Sequence, residues 1–127
     1  MDLLLLLGRI LFGGFFLYSG IKHFTRADAM AGYAGSKHVP SPKVAVYVSG
    51  LLIFLGGAGV VLGISPEWSL AFIIIFLLPV TFIMHQFWKE TDGTQRALQT
   101  TNFLKNIALL GAALMLLSVS TPWTFSF

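Results

Sequence analysis

The chain contains no cysteine and few charged residues, and both shortages narrow what it can do. Without a thiol it cannot carry out thiol–disulfide exchange or hold a metal through thiolates. Charged residues make up 10% of the sequence, whereas soluble domains carry about 25%. The histidines lack the three- or four-residue spacing, to one another or to a carboxylate, that metal ligands on a helix need. No nucleophile–base pattern or phosphate-binding loop stands out either, so the sequence predicts neither a metal site nor a catalytic residue.

Long apolar stretches make up most of the chain instead. Hydrophobic residues account for 56% of it, and a helix needs about 20 apolar residues to cross the hydrocarbon core of a bilayer. The sequence therefore predicts an all-α protein, a transmembrane four-helix bundle that forms a single domain over residues 1–127. The loop 25–43 is apolar enough to lie along the membrane surface as a short re-entrant or amphipathic segment. The predicted spans are residues 3–24, 44–64, 68–88 and 103–120.

The basic residues predict how the bundle is oriented. If the four spans alternate, loops 25–43 and 89–102 with their flanks share one side and hold seven basic residues, whereas the other side holds Arg9 alone. The positive-inside rule then places these loops in the cytoplasm and both termini outside the cytoplasmic membrane. Basic side chains beside apolar spans suit anionic lipid head groups. The net charge of +3 therefore predicts contact with membrane lipids and not with nucleic acid.

Polar side chains interrupt three of the spans near their predicted cytoplasmic ends. Because the spans alternate in direction, these side chains reach one depth, where ionisable groups tend to face the bundle interior or a wet cavity. Histidine can hydrogen-bond a quinone carbonyl, and lysine can hold an anionic head group. We therefore predict a binding site for a quinone or a lipid. Its residues are Lys22 and His23 in span one, His85 in span three, and Lys105 and Asn106 in span four.

Members of this cluster also have structural interpretations. Lys22 can extend its ammonium group to the interface, as lysines near helix ends do. His85 follows a long apolar run and can be a core histidine with satisfied hydrogen bonds. Lys105 and Asn106 lie one turn into span four, where they can form a buried network in place of a ligand site. The sequence leaves both interpretations open.

Arg9 lies two turns into span one, near the opposite end of the bundle from the polar cluster. The structural interpretation is an ion pair with Glu67 or hydrogen bonds to exposed backbone carbonyls. The alternative is an anion, such as a phosphate, held by the planar guanidinium group. Either role needs a polar partner, because an isolated charge is costly at this depth.

Small residues predict where the helices pack. At 100° per residue, one stripe of span one holds Arg9, Gly13, Phe16, Gly20 and His23. Its glycines allow a neighbouring helix to approach closely, so we predict that this stripe faces another span.

Two further groups of small residues lie in spans two and four. Gly59 and Gly63 have GxxxG spacing, which favours packing within the chain over dimerisation here. Ala108, Gly111 and Ala112 predict a packing face on span four.

Four segments together show a recognisable family pattern. They are GRILFGGFFLYSGIKHF, GLLIFLGGAGVVLGI, PVTFIMHQFW and NFLKNIALLGAAL. The last is the most specific, through Lys105, Asn106 and Gly111, and Arg9 and Lys22 add to it. The chain resembles the DoxX family of small four-helix membrane proteins over nearly its whole length. The resemblance implies a four-span bundle in a bacterial or archaeal cytoplasmic membrane. Some relatives are subunits of a thiosulfate:quinone oxidoreductase or associate with redox-stress enzymes.

One position departs from the family pattern. Many relatives carry a glutamate in span two, four residues before a glycine that matches Gly57, and this chain has Ile53 there. A buried lysine or arginine would lose that counter-charge, and a proton-coupled role through that carboxylate is not expected.

Three functions fit these observations. The first is a redox-associated membrane subunit that binds quinone or lipid at the polar cluster, with no covalently bound cofactor and electrons supplied by partners. The second is a non-catalytic accessory subunit of a larger membrane complex. The third is a small-solute carrier, for which four spans would require oligomerisation. The expected partners are membrane lipids and either other membrane subunits or further copies of the chain.

Overall fold

The computed structural model describes residues 2–127, in which every regular element is a helix. Four of these helices are long and apolar enough to cross a membrane, which confirms the predicted all-α four-span bundle. The elements are α1 (Asp2–Thr25), α2 (Ala27–Ser36), α3 (Pro42–Leu62), α4 (Pro66–Met84), a 3-10 turn (Phe87–Lys89) and α5 (Gly93–Leu117).

The helices depart from the predicted spans mainly between the end of α4 and the start of α5. Helix α4 ends at Met84, and the 3-10 turn continues the span that was predicted to reach residue 88. Helix α5 begins at Gly93 and not at residue 103, because Asp92 caps it: its carboxylate accepts a hydrogen bond of 3.0 Å from the Gln95 N–H. The polar residues after this cap are therefore helical and continue directly into the apolar span.

The alternation of the spans gives the bundle two ends. The terminal end contains the start of α1, the α3–α4 turn and residues 118–127. The connector end contains α2 and residues 85–92, which join α4 to α5.

Glycines bring α1 and α3 into close contact. A Cβ on Gly13 would lie 2.7 Å from the carbonyl oxygen of Gly57, and a Cβ on Gly20 would lie 3.0 Å from that of Gly50. The buried residues of α1 are the five of the predicted stripe, from Arg9 to His23. The prediction that this stripe faces another span is therefore confirmed, and its neighbour is α3.

Helix α4 packs on another face of α3, and both contribute to the core. A Cβ on Gly59 would collide with the side chain of Ser69, so Gly59 packs within the chain. Ile53, the residue at the position where many relatives carry glutamate, is fully buried in this core. The core therefore has an apolar side chain at that position, and Arg9 finds its partners elsewhere.

The predicted packing face of α5 is wrong for two of its residues. A Cβ on Gly111 would meet nothing within 4 Å, and Ala108 is exposed. Helix α5 instead buries Gln99, Asn106 and Ala113, which lie seven residues apart on one face. Small size alone did not identify the buried face, because small residues also occur on helix surfaces that have no protein neighbour.

Candidate functional site

A cavity of about 620 Å³ lies at the connector end of the bundle. Residues from all five helices line it, and aromatic and aliphatic side chains make up most of its wall. Its volume is in the usual range of small-molecule sites, about 300–1,000 Å³. The residues predicted to bind a ligand all line this cavity: Lys22, His23, His85, Lys105 and Asn106.

His23 is held against its own helix. Its exposed fraction is 6%, and its Nδ1 lies 2.7 Å from the carbonyl oxygen of Ser19, one turn earlier. Its ring packs edge-to-face on Phe76 of α4, with 5.7 Å between the ring centroids. A Cβ on Gly50 would collide with the His23 Cβ, so the glycine makes room for the histidine. These contacts fix the imidazole in the cavity wall.

His85 belongs to a chain of hydrogen bonds that joins three elements. Its Nδ1 lies 2.8 Å from Oε1 of Gln99 on α5. The Gln99 Nε2 donates to the hydroxyl of Tyr33 on α2. That hydroxyl donates in turn to the carbonyl oxygen of Met84, at 3.1 Å. The chain therefore ties α2 and α5 to the end of α4 and holds the His85 ring in place.

Asn106 is buried without a protein partner. Its exposed fraction is 5%, and no hydrogen bond joins its side chain to residues 2–127. Its amide atoms are nevertheless not fully enclosed. Among residues 2–127, the fully enclosed side-chain nitrogen or oxygen that lacks a hydrogen-bond partner is Nε1 of Trp123 and not an atom of Asn106. Because Asn106 lines the cavity, its amide is available to a molecule that occupies it.

Basic side chains surround the cavity. Lys105 reaches from α5 toward α1, with its Nζ 5.5 Å from the centroid of the Phe15 ring. Lys22 lies over the ring of Tyr18 at 5.0 Å, and Arg26 also lines the cavity. The ion pairs within residues 2–127 lie outside this lining: Lys37 with Glu90 at 3.4 Å and Lys43 with Asp28 at 2.9 Å. The described lining thus carries positive charge and no carboxylate.

Sequence reasoning missed Tyr33 and Gln99. Gln99 lies seven residues before Asn106 and therefore on the same face of α5. This spacing predicts a shared face only if the helix already includes Gln99, and the predicted span began at residue 103 whereas α5 begins at Gly93. Tyr33 had no such signal, because only the folded position of α2 brings it to the end of α4.

At the terminal end, Arg9 caps the carboxyl end of α3. The guanidinium is fully buried and donates to the carbonyl oxygens of Val60 at 3.0 Å and Val61 at 2.9 Å. It also donates to those of Thr124 at 2.6 Å and Phe125 at 3.2 Å. The last carbonyls of a helix have no partner within it, and a cation is favourable at this end of the helix dipole. Arg9 therefore joins α3 to the carboxyl-terminal segment.

Glu67 does not pair with Arg9 in the described chain. It is exposed on the first turn of α4, where its Oε1 accepts a hydrogen bond of 3.3 Å from the Thr121 hydroxyl. The predicted ion pair between Arg9 and Glu67 does not form, because the guanidinium already donates its hydrogen bonds to the unpaired carbonyls of α3. Of the two structural partners considered for Arg9, the fold uses the backbone.

Metal-ligating side chains do not converge in residues 2–127: no group of three histidine or acidic residues there could hold a metal ion. The polar groups of the cavity are imidazoles, ammonium groups, a guanidinium group, hydroxyls and an amide. These groups suit an organic ligand with polar oxygens.

The family of the chain follows from comparisons with known proteins. Neither the curated proteins nor the solved structures give a match. The family model named DoxX matches residues 4–86, a stretch that runs from the first turn of α1 through α4 and His85 but does not include Lys105 or Asn106. Because this stretch is more than half of the chain, the protein belongs to the DoxX family, and it has four candidate transmembrane helices.

Proposed function

We propose that this DoxX-family membrane protein binds a quinone-type amphiphile in the connector-end cavity and acts as a membrane subunit of a redox system. One observation carries the proposal: Asn106 is buried, has no hydrogen-bond partner among the described residues, and lines the cavity. The amide is not sealed in the protein, so its hydrogen-bonding groups are open to a molecule in the cavity. A ligand with polar oxygens can accept a hydrogen bond from this amide.

The chemistry of the cavity suits a quinone. A quinone ring presents two carbonyl oxygens, which accept hydrogen bonds, and Lys105 and Asn106 supply N–H donors. Part of the wall is apolar and includes Phe16, Phe76 and Leu77, and it suits the hydrocarbon part of the molecule. The cavity therefore combines an apolar body with a few polar groups, as ligand sites usually do.

The protein supplies binding and orientation, and partner subunits supply electrons. The chain has no cysteine, so it cannot exchange electrons through a dithiol–disulfide pair. A quinone held in the cavity would exchange electrons with a redox partner protein. Its oxygens lie beside basic and imidazole groups that can stabilise negative charge or accept protons.

The test is ligand binding by protein purified in mild detergent. We expect mass spectrometry of the lipid extract to find a quinone at near-equimolar amount. We also expect Asn106→Leu to weaken binding of a short-chain quinone about 3- to 10-fold, as loss of one hydrogen bond in a buried site implies. Gly14→Ala is the matched control, because a Cβ there meets nothing within 4 Å.

Two outcomes would contradict the proposal. One is wild-type protein that contains no quinone and does not bind added quinone. The other is a stoichiometric partner protein with no small ligand, retained unchanged by His85→Ala, which would favour a non-catalytic accessory subunit.

A further inference from the structure

The hydrogen bonds around His85 determine which of its ring nitrogens carries the proton. The Met84 carbonyl can only accept a hydrogen bond, so the Tyr33 hydroxyl donates its only hydrogen to it. The Tyr33 oxygen must then accept from the amide NH2 of Gln99, which turns the Gln99 carbonyl toward His85. A carbonyl accepts only from an N–H, so Nδ1 of His85 is protonated. In the neutral ring, Nε2 is left as a hydrogen-bond acceptor.

His23 reaches the same tautomer by a shorter route. Its Nδ1 lies 2.7 Å from the backbone carbonyl of Ser19, which again can only accept. Nδ1 therefore carries the proton, and Nε2 of the neutral ring is an acceptor.

Neither Nε2 atom has a hydrogen-bond partner among residues 2–127. Neither is fully enclosed by these residues, because the enclosed side-chain atom without a partner is Nε1 of Trp123. Both rings line the cavity. The wall thus presents two acceptor nitrogens, one from α1 and one from the residue that follows α4. A ligand that satisfies them must bring hydrogen-bond donors.

We infer that the cavity selects the hydroxyl-bearing, reduced form of its ligand, a quinol, over the oxidised quinone. This inference rests on the proposed function and specifies the redox state that the site prefers. A quinone carries only acceptor oxygens, so its lone pairs would face those of the imidazoles. A quinol hydroxyl donates to a histidine Nε2, while its oxygen still accepts from Lys105 or Asn106.

Tyr33 and Gln99 are positioning residues in this scheme. Without the Tyr33 hydroxyl, the Gln99 amide has no fixed direction and can turn its NH2 toward His85. His85 would then populate the other tautomer, with the proton on Nε2. The hydroxyl of Tyr33 therefore sets the preference for a donor ligand through Gln99 and His85, since its own hydrogen bonds are made to Met84 and Gln99.

The experiment compares three soluble ligands with one ring and one short tail: a quinol, the matching quinone, and the quinol dimethyl ether, in which both hydroxyls are capped. Binding is measured to the full chain in detergent, without oxygen, at about pH 8, where a histidine in water is neutral. Two hydrogen bonds of ordinary strength predict that the quinol binds about 10-fold more tightly than either other ligand.

The variant Tyr33→Phe should lower quinol affinity about 3-fold or more and raise quinone affinity, because a His85 ring protonated on Nε2 can donate to a quinone oxygen. Tyr47→Phe is the matched control, because Tyr47 is exposed and does not line the cavity. The 15N spectrum of the histidine side chains gives a second readout. We expect the His85 signals of Tyr33→Phe, and not of Tyr47→Phe, to shift toward the tautomer protonated on Nε2.

The results separate the two proposals. Equal binding of quinol and quinone, or tighter binding of quinone, would overturn the selectivity and leave quinone binding standing. Equal binding of the quinol and its dimethyl ether would overturn it as well. If none of the ligands binds, the proposed function fails and this inference fails with it.

Discussion

Replacing Arg9 by methionine is expected to lower the free energy of unfolding by at least about 3 kcal/mol, because several carbonyls lose their donor together and each such loss costs about 1–3 kcal/mol. Two of these carbonyls belong to the last turn of α3 and two to the carboxyl-terminal segment. Trp123, whose ring lies 5.4 Å from the guanidinium carbon and is 3% exposed, should become accessible as this segment detaches. Unfolding in mixed micelles and chymotrypsin cleavage after Trp123 measure the two effects.

Arg96→Met is the matched control, since Arg96 is exposed on α5 and its removal should change the free energy of unfolding by less than about 0.5 kcal/mol. Arg9→Lys should fall between the two variants. A lysine keeps the charge at the end of α3, but its single nitrogen cannot reach carbonyls on both α3 and the carboxyl-terminal segment. Equal stability of Arg9→Met and Arg96→Met would show that the cap contributes nothing.

Gly57→Ala is expected to force α1 and α3 apart. The new Cβ would lie 2.6 Å from the carbonyl oxygen of Gly13 and 2.8 Å from the backbone nitrogen of Leu17. Neither atom can move without its helix, so we expect a loss of about 1–3 kcal/mol in the free energy of unfolding, as overpacked cores show. Gly13→Ala should behave alike, since its Cβ would meet the Gly57 carbonyl at 2.7 Å. The same unfolding titration in mixed micelles measures both variants.

The neighbouring residue on α1 provides the control for this pair. Gly14 differs from Gly13 by one position, and a Cβ there meets nothing within 4 Å. Gly14→Ala should therefore be neutral or slightly stabilising, because alanine favours the helix over glycine. If Gly13→Ala and Gly14→Ala unfold at the same detergent fraction, α1 and α3 do not depend on close backbone contact.

The helical periodicity of span one was sufficient to predict its buried face. Arg9, Gly13, Phe16, Gly20 and His23 are its buried residues, because a helix repeats its face regardless of what packs against it. The prediction from small residues was wrong for Ala108 and Gly111 on α5. Small residues allow close packing, but only a neighbouring helix at the right position makes use of them.

The candidate site was predicted in part. Alternating spans of similar length bring polar residues at matching ends to one depth, and the five predicted residues do line one cavity. Their role in binding a ligand remains a prediction. Tyr33 and Gln99 were not identified, since their contact depends on how α2 folds over the end of α4.

The sequence by itself determined the number of long apolar helices, their alternation and the end of the bundle at which the polar cluster lies. These properties follow from segment length and local periodicity, which every stretch of chain carries on its own. Only the tertiary structure decided that Arg9 caps α3 and that Tyr33 and Gln99 orient His85. These are contacts between side chains and groups far away along the chain, and backbone carbonyls, which leave no mark in a sequence, are among the partners. The sequence therefore fixes where along the bundle the polar groups lie, and the fold fixes their partners.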